Sequence, residues 1–200
     1  MKTVSVLVLA IALMAATVTN IFEDLSVSED DAKENIVSSF GGGLISTSYE
    51  VLKKAKSLPV EMRVAGTRQL IRFAKEYSKT PEFQKKYTKW RNERLGYRQK
   101  RKLGIPNPMK MIDNAVDKQL NKADDEKKYP SDSKELIKQR LKAFLDISAT
   151  VDFDARLNGS MFANPEYESK SGEWKMCFRA GKAVIQAARE EAQAWLKELE

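Results

Sequence analysis

The chain contains no histidine and a single cysteine, Cys177. Without histidine it lacks the commonest general base and the commonest metal ligand, so Ser/His/Asp catalysis, Cys/His catalysis and ordinary zinc coordination within one chain are excluded. One cysteine rules out an intramolecular disulfide and a two-cysteine metal site. No metal site and no cofactor is expected. Six prolines and nine glycines act as punctuation between elements. Past the amino-terminal run described next, no stretch alternates apolar and polar residues long enough to read as a strand.

The one long apolar run lies at the amino terminus, from Val4 to Val18 behind Lys2. Its fifteen residues suit the core of an export signal and fall short of the ~20 that a membrane-spanning helix needs. Residues 1–20 are therefore read as a signal peptide, cut between Thr17 and Asp24. An uncleaved anchor reaching through Ile21 and Phe22 is the disfavoured alternative. The mature chain is expected to be periplasmic or secreted. The 200-residue chain is 42% hydrophobic, and residues 21–200 suit a single domain, a size at which about 70% of the unfolded chain's surface can be buried.

Charge is unevenly distributed. The formal net charge is +7, and Glu82 to Gly104 alone holds nine basic residues against two acidic ones. Glu23 to Glu34 is the reverse, with six acids and one lysine. The molecule thus carries an acidic amino-terminal segment and a basic middle.

Punctuation and periodicity predict an all-α fold: an irregular bundle of about five to seven helices with a long C-terminal amphipathic helix, after the signal peptide. Gly41, Gly42 and Gly43 end a short first helix, and a second is expected from Leu44 to Ser57. Pro59 opens the next, whose stripe is Met62, Ala65, Leu70, Phe73 and Tyr77. Thr80 and Pro81 start another, followed by a basic connector from Leu95 to Pro108. A helix from Pro108 to Lys128 stops at Pro130 and Ser131. From Ser133 a helix carries Ile137, Leu141, Phe144 and Ser148, giving way near Val151. Trp174, Phe178, Gly181, Ile185, Ala188, Ala192, Trp195 and Leu199 then fall at alternating steps of 4 and 3. That spacing predicts one continuous seam of about seven turns, packed within the chain rather than in a dimeric coiled coil.

The segment "TPEFQKKYTKWRNERLGYRQKRK", residues 80–102, mixes rings and cations. At 100° per residue Phe83, Tyr87 and Trp90 lie within about 60° of one another, and Lys85 and Lys89 point to the far side. A single-stranded nucleic-acid groove needs rings beside phosphate-binding charges, so the expectation is a core-facing aromatic stripe with a solvated basic face, and nucleic acid is a disfavoured partner. An echo supports this: "NPEYESKSGEW" from Asn164 repeats the cap, Pro, Glu, ring and Trp positions of "TPEFQKKYTKW" from Thr80 without most of its lysines. Candidate anion- or partner-binding residues are Lys85, Lys86, Lys89, Arg98, Lys100, Arg101 and Lys102. The chemistry they suit is an acidic envelope component, an acidic protein surface or the headgroups of an anionic membrane.

Other features carry weaker signals. Cys177 sits beside the C-terminal seam and reads as a small buried hydrophobe. Asp146, Asp152 and Asp154 resemble a carboxylate set, and paired carboxylates can hydrolyse glycosidic bonds, but acids at a helix exit are usually solvated or capping. Gly41 to Gly43 lacks the lysine and hydroxyl of a phosphate loop. Asn158 in "NGS" is an acceptor only in a eukaryotic secretory pathway.

The blocks "TPEFQKKY" and "VDFDARLNGSMFANPEYESKSGEWKMCFRAGK" resemble those of exported, helix-rich bacterial proteins with no assigned function. The Trp174, Cys177, Phe178, Arg179, Ala180, Gly181 block is the most distinctive part. The resemblance implies export from a bacterial cell and a shared helical fold, and brings no catalytic residue or ligand. The sequence thus favours a binding or structural role over an enzymatic one: contact with an acidic envelope component or protein through the basic segment. Alternatives are a holdase-like periplasmic chaperone, which needs an open apolar cradle, and a carboxylate-dependent glycan hydrolase, which needs a cleft.

Overall fold

A computed structural model of the chain describes residues 29–40, 57–102, 126–155 and 165–200. Its helices are α1 (Glu29–Phe40), α2 (Val60–Ser78), α3 (Pro81–Lys102), α4 (Ser133–Ala149), α5 (Pro165–Ser169), α6 (Gly172–Ala180) and α7 (Lys182–Leu199), with further helical residues at 57 and 126–128 and no strand among the described residues. The expected all-α bundle is what forms. The expected signal peptide, all but Ser57 of the helix expected from Leu44 to Ser57, and most of the one expected from Pro108 lie outside the described residues.

The amphipathic helix α7 organises the core, packing chiefly on α2 and α4. Its Ile185, Ala188, Ala192 and Trp195 are buried, and the two alanines let neighbouring backbones come close. Facing them, α2 buries Leu70, Ile71 and Ala74, and α4 buries Leu136, Ile137, Leu141 and Phe144. Each large side chain so buried contributes roughly 2–3 kcal/mol. A row of ion pairs flanks the α2–α7 seam: Arg68 with Glu190 (2.5 Å) and Glu191 (3.4 Å), Arg72 with Glu191 (2.6 Å), and Lys75 with Glu198.

The C-terminal seam departs from expectation in one respect: it is not one helix. Gly181 adopts φ 90° and ψ 157°, ending α6 and starting α7. An L side chain is strained there, so glycine breaks the helix at the position where the apolar spacing alone reads straight through. The seam residues still converge, because Trp174 and Ile185 enter the same core from either side of the break.

Polar groups at the exit of α4 are satisfied from the C-terminal half. Arg189 Nη1 donates to the Leu145 carbonyl oxygen (2.9 Å) and to Ser148 Oγ (2.7 Å). The Trp174 indole N–H donates to the Thr150 carbonyl oxygen at 3.2 Å. A guanidinium beside a helix C-terminus also suits the negative end of its dipole.

Candidate functional site

The basic helix α3 is positioned by its first turn. Thr80 Oγ1 accepts from the Phe83 N–H at 3.2 Å, Pro81 occupies the first helical position where its missing N–H costs nothing, and Glu82 lies near the positive end of the helix. From there the aromatic residues turn inward as their spacing predicts. Phe83 and Tyr87 are 0% and 1% exposed, and Trp90 packs against the core at its edge. The rings form a chain: Tyr77 edge-on to Phe83 (5.5 Å), Phe83 stacked on Tyr87 (6.2 Å), Tyr87 on Trp90 (6.2 Å), and Trp90 edge-on to Tyr129 (5.6 Å).

Hydrogen bonds lock this face to the turn before α4. The Tyr87 hydroxyl donates to the Pro130 carbonyl oxygen at 2.5 Å, and burial pushes its phenol up to about 12. Arg91 Nε donates to the Tyr129 carbonyl oxygen at 2.7 Å, and its Nη2 pairs with Glu126. Gln84 Nε2 donates to the Ser78 carbonyl oxygen (3.1 Å), and Gln84 Oε1 accepts from Ser133 Oγ (2.7 Å). Arg91 is therefore a structural cation. The sequence counted it only as charge, because its carbonyl partner lies 38 residues away.

The candidate cations divide into three groups. Lys85 and Lys89 are exposed on the outer face. Lys86 is half-buried and engaged, with its Nζ 3.1 Å from Glu34 and 3.4 Å from Glu82; the Glu34 hydrogen bond holds its ammonium above its ordinary value. Arg98, Lys100, Arg101 and Lys102 lie in the last turns of α3, with side chains outside the described set.

Their placement corrects the expected connector: the helix runs on through Gly96 to Lys102. One glycine in a helix interior costs only about 1 kcal/mol, and the arginines, lysines and glutamine that follow are good helix formers. The 22 residues of α3 span about 33 Å at 1.5 Å per residue, so the basic positions are spread along the helix instead of gathered at one point.

The remaining candidates offer little chemistry. Cys177 is 1% exposed, and burial pushes its thiol up to about 12, far from a reactive thiolate. Asp146, Asp152 and Asp154 are all exposed. Asp152 Oδ1 accepts from the Asp154 N–H at 3.0 Å in a local turn, and Asp154 pairs with Lys182 at 3.3 Å. Val151 is buried and Phe153 half-buried, so Asp152 and Asp154 face out while their apolar neighbours face in. Among the described residues no group of three metal-ligating side chains comes together, and no helix is long and apolar enough to cross a membrane. Compared with known proteins, the chain matches no family model, no curated protein and no solved structure.

Proposed function

We propose that this is an exported helical binding protein, periplasmic or secreted, which contacts an acidic envelope component or an acidic protein through the outer face of α3. The observation that carries the reading is the division of that helix: Phe83, Tyr87 and Trp90 are held in the core while Lys85 and Lys89 face solvent. The rings fix the helix and leave the outward ammonium groups available for partners. The excess of basic over acidic residues along α3 raises the local concentration of anionic partners and speeds encounter with them. Export is supported by the Val4 to Val18 run behind Lys2.

The competing readings draw less support. A holdase needs an open apolar cradle, yet among the described residues the one strongly exposed large hydrophobic side chain is Val60, at 42%. A glycan hydrolase needs two carboxyl groups in a cleft, and the three candidate acids are exposed.

The test is binding of the mature protein to bacterial envelope fractions across a salt series, beside a variant with Arg98, Lys100, Arg101 and Lys102 changed to glutamine and a second with Lys85→Gln and Lys89→Gln. Binding that weakens with salt and is reduced in both variants is the expected result. Equal binding by all three proteins, or none by any, overturns the reading.

A further inference from the structure

The acidic helix α1 is seated against the basic helix. Ala32, Ile36 and Val37 are 5%, 5% and 3% exposed and enter the core, and α1 packs on α3 more than on any other helix. Charge follows the apolar contact. Glu34 pairs with Lys86 at 3.1 Å. Lys33 lies 3.7 Å from Glu82, 2.9 Å from Glu29 and 5.8 Å from the Tyr77 ring centroid. On the α3 wheel Lys86 stands about 60° from Lys89 and about 100° from Lys85, so it is the edge of the same outward face. Glu34 therefore shares with Glu82 of α3 itself a cation at the edge of the face that an external acid would meet.

We infer that α1 is a built-in acidic competitor for α3: its carboxylate holds Lys86, and an acidic polypeptide that binds the basic face displaces it. This rests on the reading of α3 as the partner surface. Two properties of α1 suit it to displacement. It has 12 residues, a length at which an isolated helix is marginal in water, so its seat on the bundle maintains it. Among its described residues the apolar anchors are Ala32, Ile36 and Val37, and elements with few buried contacts open locally before the rest of a fold. α1 and α2 belong to one chain, so a displaced α1 stays at high local concentration and can return when the partner leaves.

The experiment measures affinity for poly-glutamate, a carboxylate polymer that mimics an acidic protein, at fixed low salt. The variants are Ile36→Asp, which expels α1 from the core, and Glu34→Gln, which cuts the link to Lys86. Glu61→Gln, in the first turn of α2, makes the same charge change elsewhere. Ile36→Asp is expected to bind about tenfold tighter although it adds a negative charge, and Glu34→Gln about threefold tighter than Glu61→Gln, as removal of a competing closed state requires. Thermal unfolding shows whether Ile36→Asp keeps the bundle; if it does not, the Glu34→Gln and Glu61→Gln pair decides. Amide exchange in α1 is expected to accelerate when poly-glutamate saturates the unaltered protein.

Equal, measurable affinity in all variants, or bound polymer with α1 still protected, overturns the competitor and leaves the α3 reading standing. Binding only after α1 is expelled supports both. No binding by any variant overturns both.

Discussion

The hydroxyl of Tyr87 donates to the carbonyl oxygen of Pro130 across 43 residues of sequence, tying the basic helix to the turn that starts α4. Tyr87→Phe removes the donor and leaves a buried carbonyl without it, which is expected to destabilise the protein by about 1–3 kcal/mol. Urea unfolding checks it: the midpoint falls with the slope unchanged.

The same phenol and the thiol of Cys177 make stability depend on alkaline pH. Burial raises Tyr87 from an ordinary 10.0, and Cys177 from 9.0, each to about 12. In both cases the folded state holds its proton to higher pH than the unfolded state. Their contribution is therefore whole below pH 9, begins to fall as the unfolded thiol ionises, falls faster above pH 10 as the unfolded phenol follows, and is lost by about pH 12. Urea midpoints at pH 8, 9, 10 and 11 are expected to decline in that order. Cys177→Ala is expected to remove the part of the decline that starts near pH 9.

Lysines and rings of α3 are expected to separate cleanly. Lys85→Gln and Lys89→Gln change stability by less than about 0.5 kcal/mol, as exposed sites do. Phe83→Ala, at a side chain with no exposure, costs about 3–5 kcal/mol. Parallel thermal melts decide this, and a large loss on changing either lysine would show that the outward face is structural.

That separation was legible in the sequence, because a stripe of three large rings at helical spacing constrains which way a helix turns. The bundle itself was legible for the same reason, from Ile137, Leu141, Phe144 and Ser148 in α4 to Trp195 in α7. Two boundaries were not. The break at Gly181 is a backbone conformation, and apolar spacing records only side-chain direction, so the seam reads continuously across it. The end of α3 is hidden in the same way: a lone glycine and a run of charge after Leu95 look like a connector even though helix propensity favours continuation. In the candidate site, the opposed charge of Glu23 to Glu34 and Glu82 to Gly104 was visible. Which lysine meets which glutamate depends on tertiary packing, so the Glu34–Lys86 pair was not.

At Gly181 an added Cβ meets nothing within 4 Å, so crowding does not enter. Gly181→Ala is nevertheless expected to cost about 1–3 kcal/mol, because φ 90° is unfavourable for any L side chain. Gly172 is equally uncrowded and has no positive φ, so Gly172→Ala is expected to stabilise by up to about 1 kcal/mol. Differential scanning calorimetry of the two variants should move the melting temperature in opposite directions.

Glu191 is the shared acceptor of Arg68 and Arg72, and its side chain is 12% exposed. Glu191→Gln is expected to cost about 1 kcal/mol, more than the corresponding change at the half-exposed Glu198. The penalty at Glu191 should persist in high salt better than that at Glu198, since screening acts least on sheltered charges. Chemical denaturation at low and high sodium chloride makes the comparison.

Cys177 is the sole thiol in the chain and lies sealed in the core. A thiol-labelling dye can therefore react only with molecules whose core has opened, and there is no second site to confuse the signal. The half-time of labelling in plain buffer becomes a stopwatch for opening of the bundle. It ranks every variant that retains Cys177 without denaturant or heat.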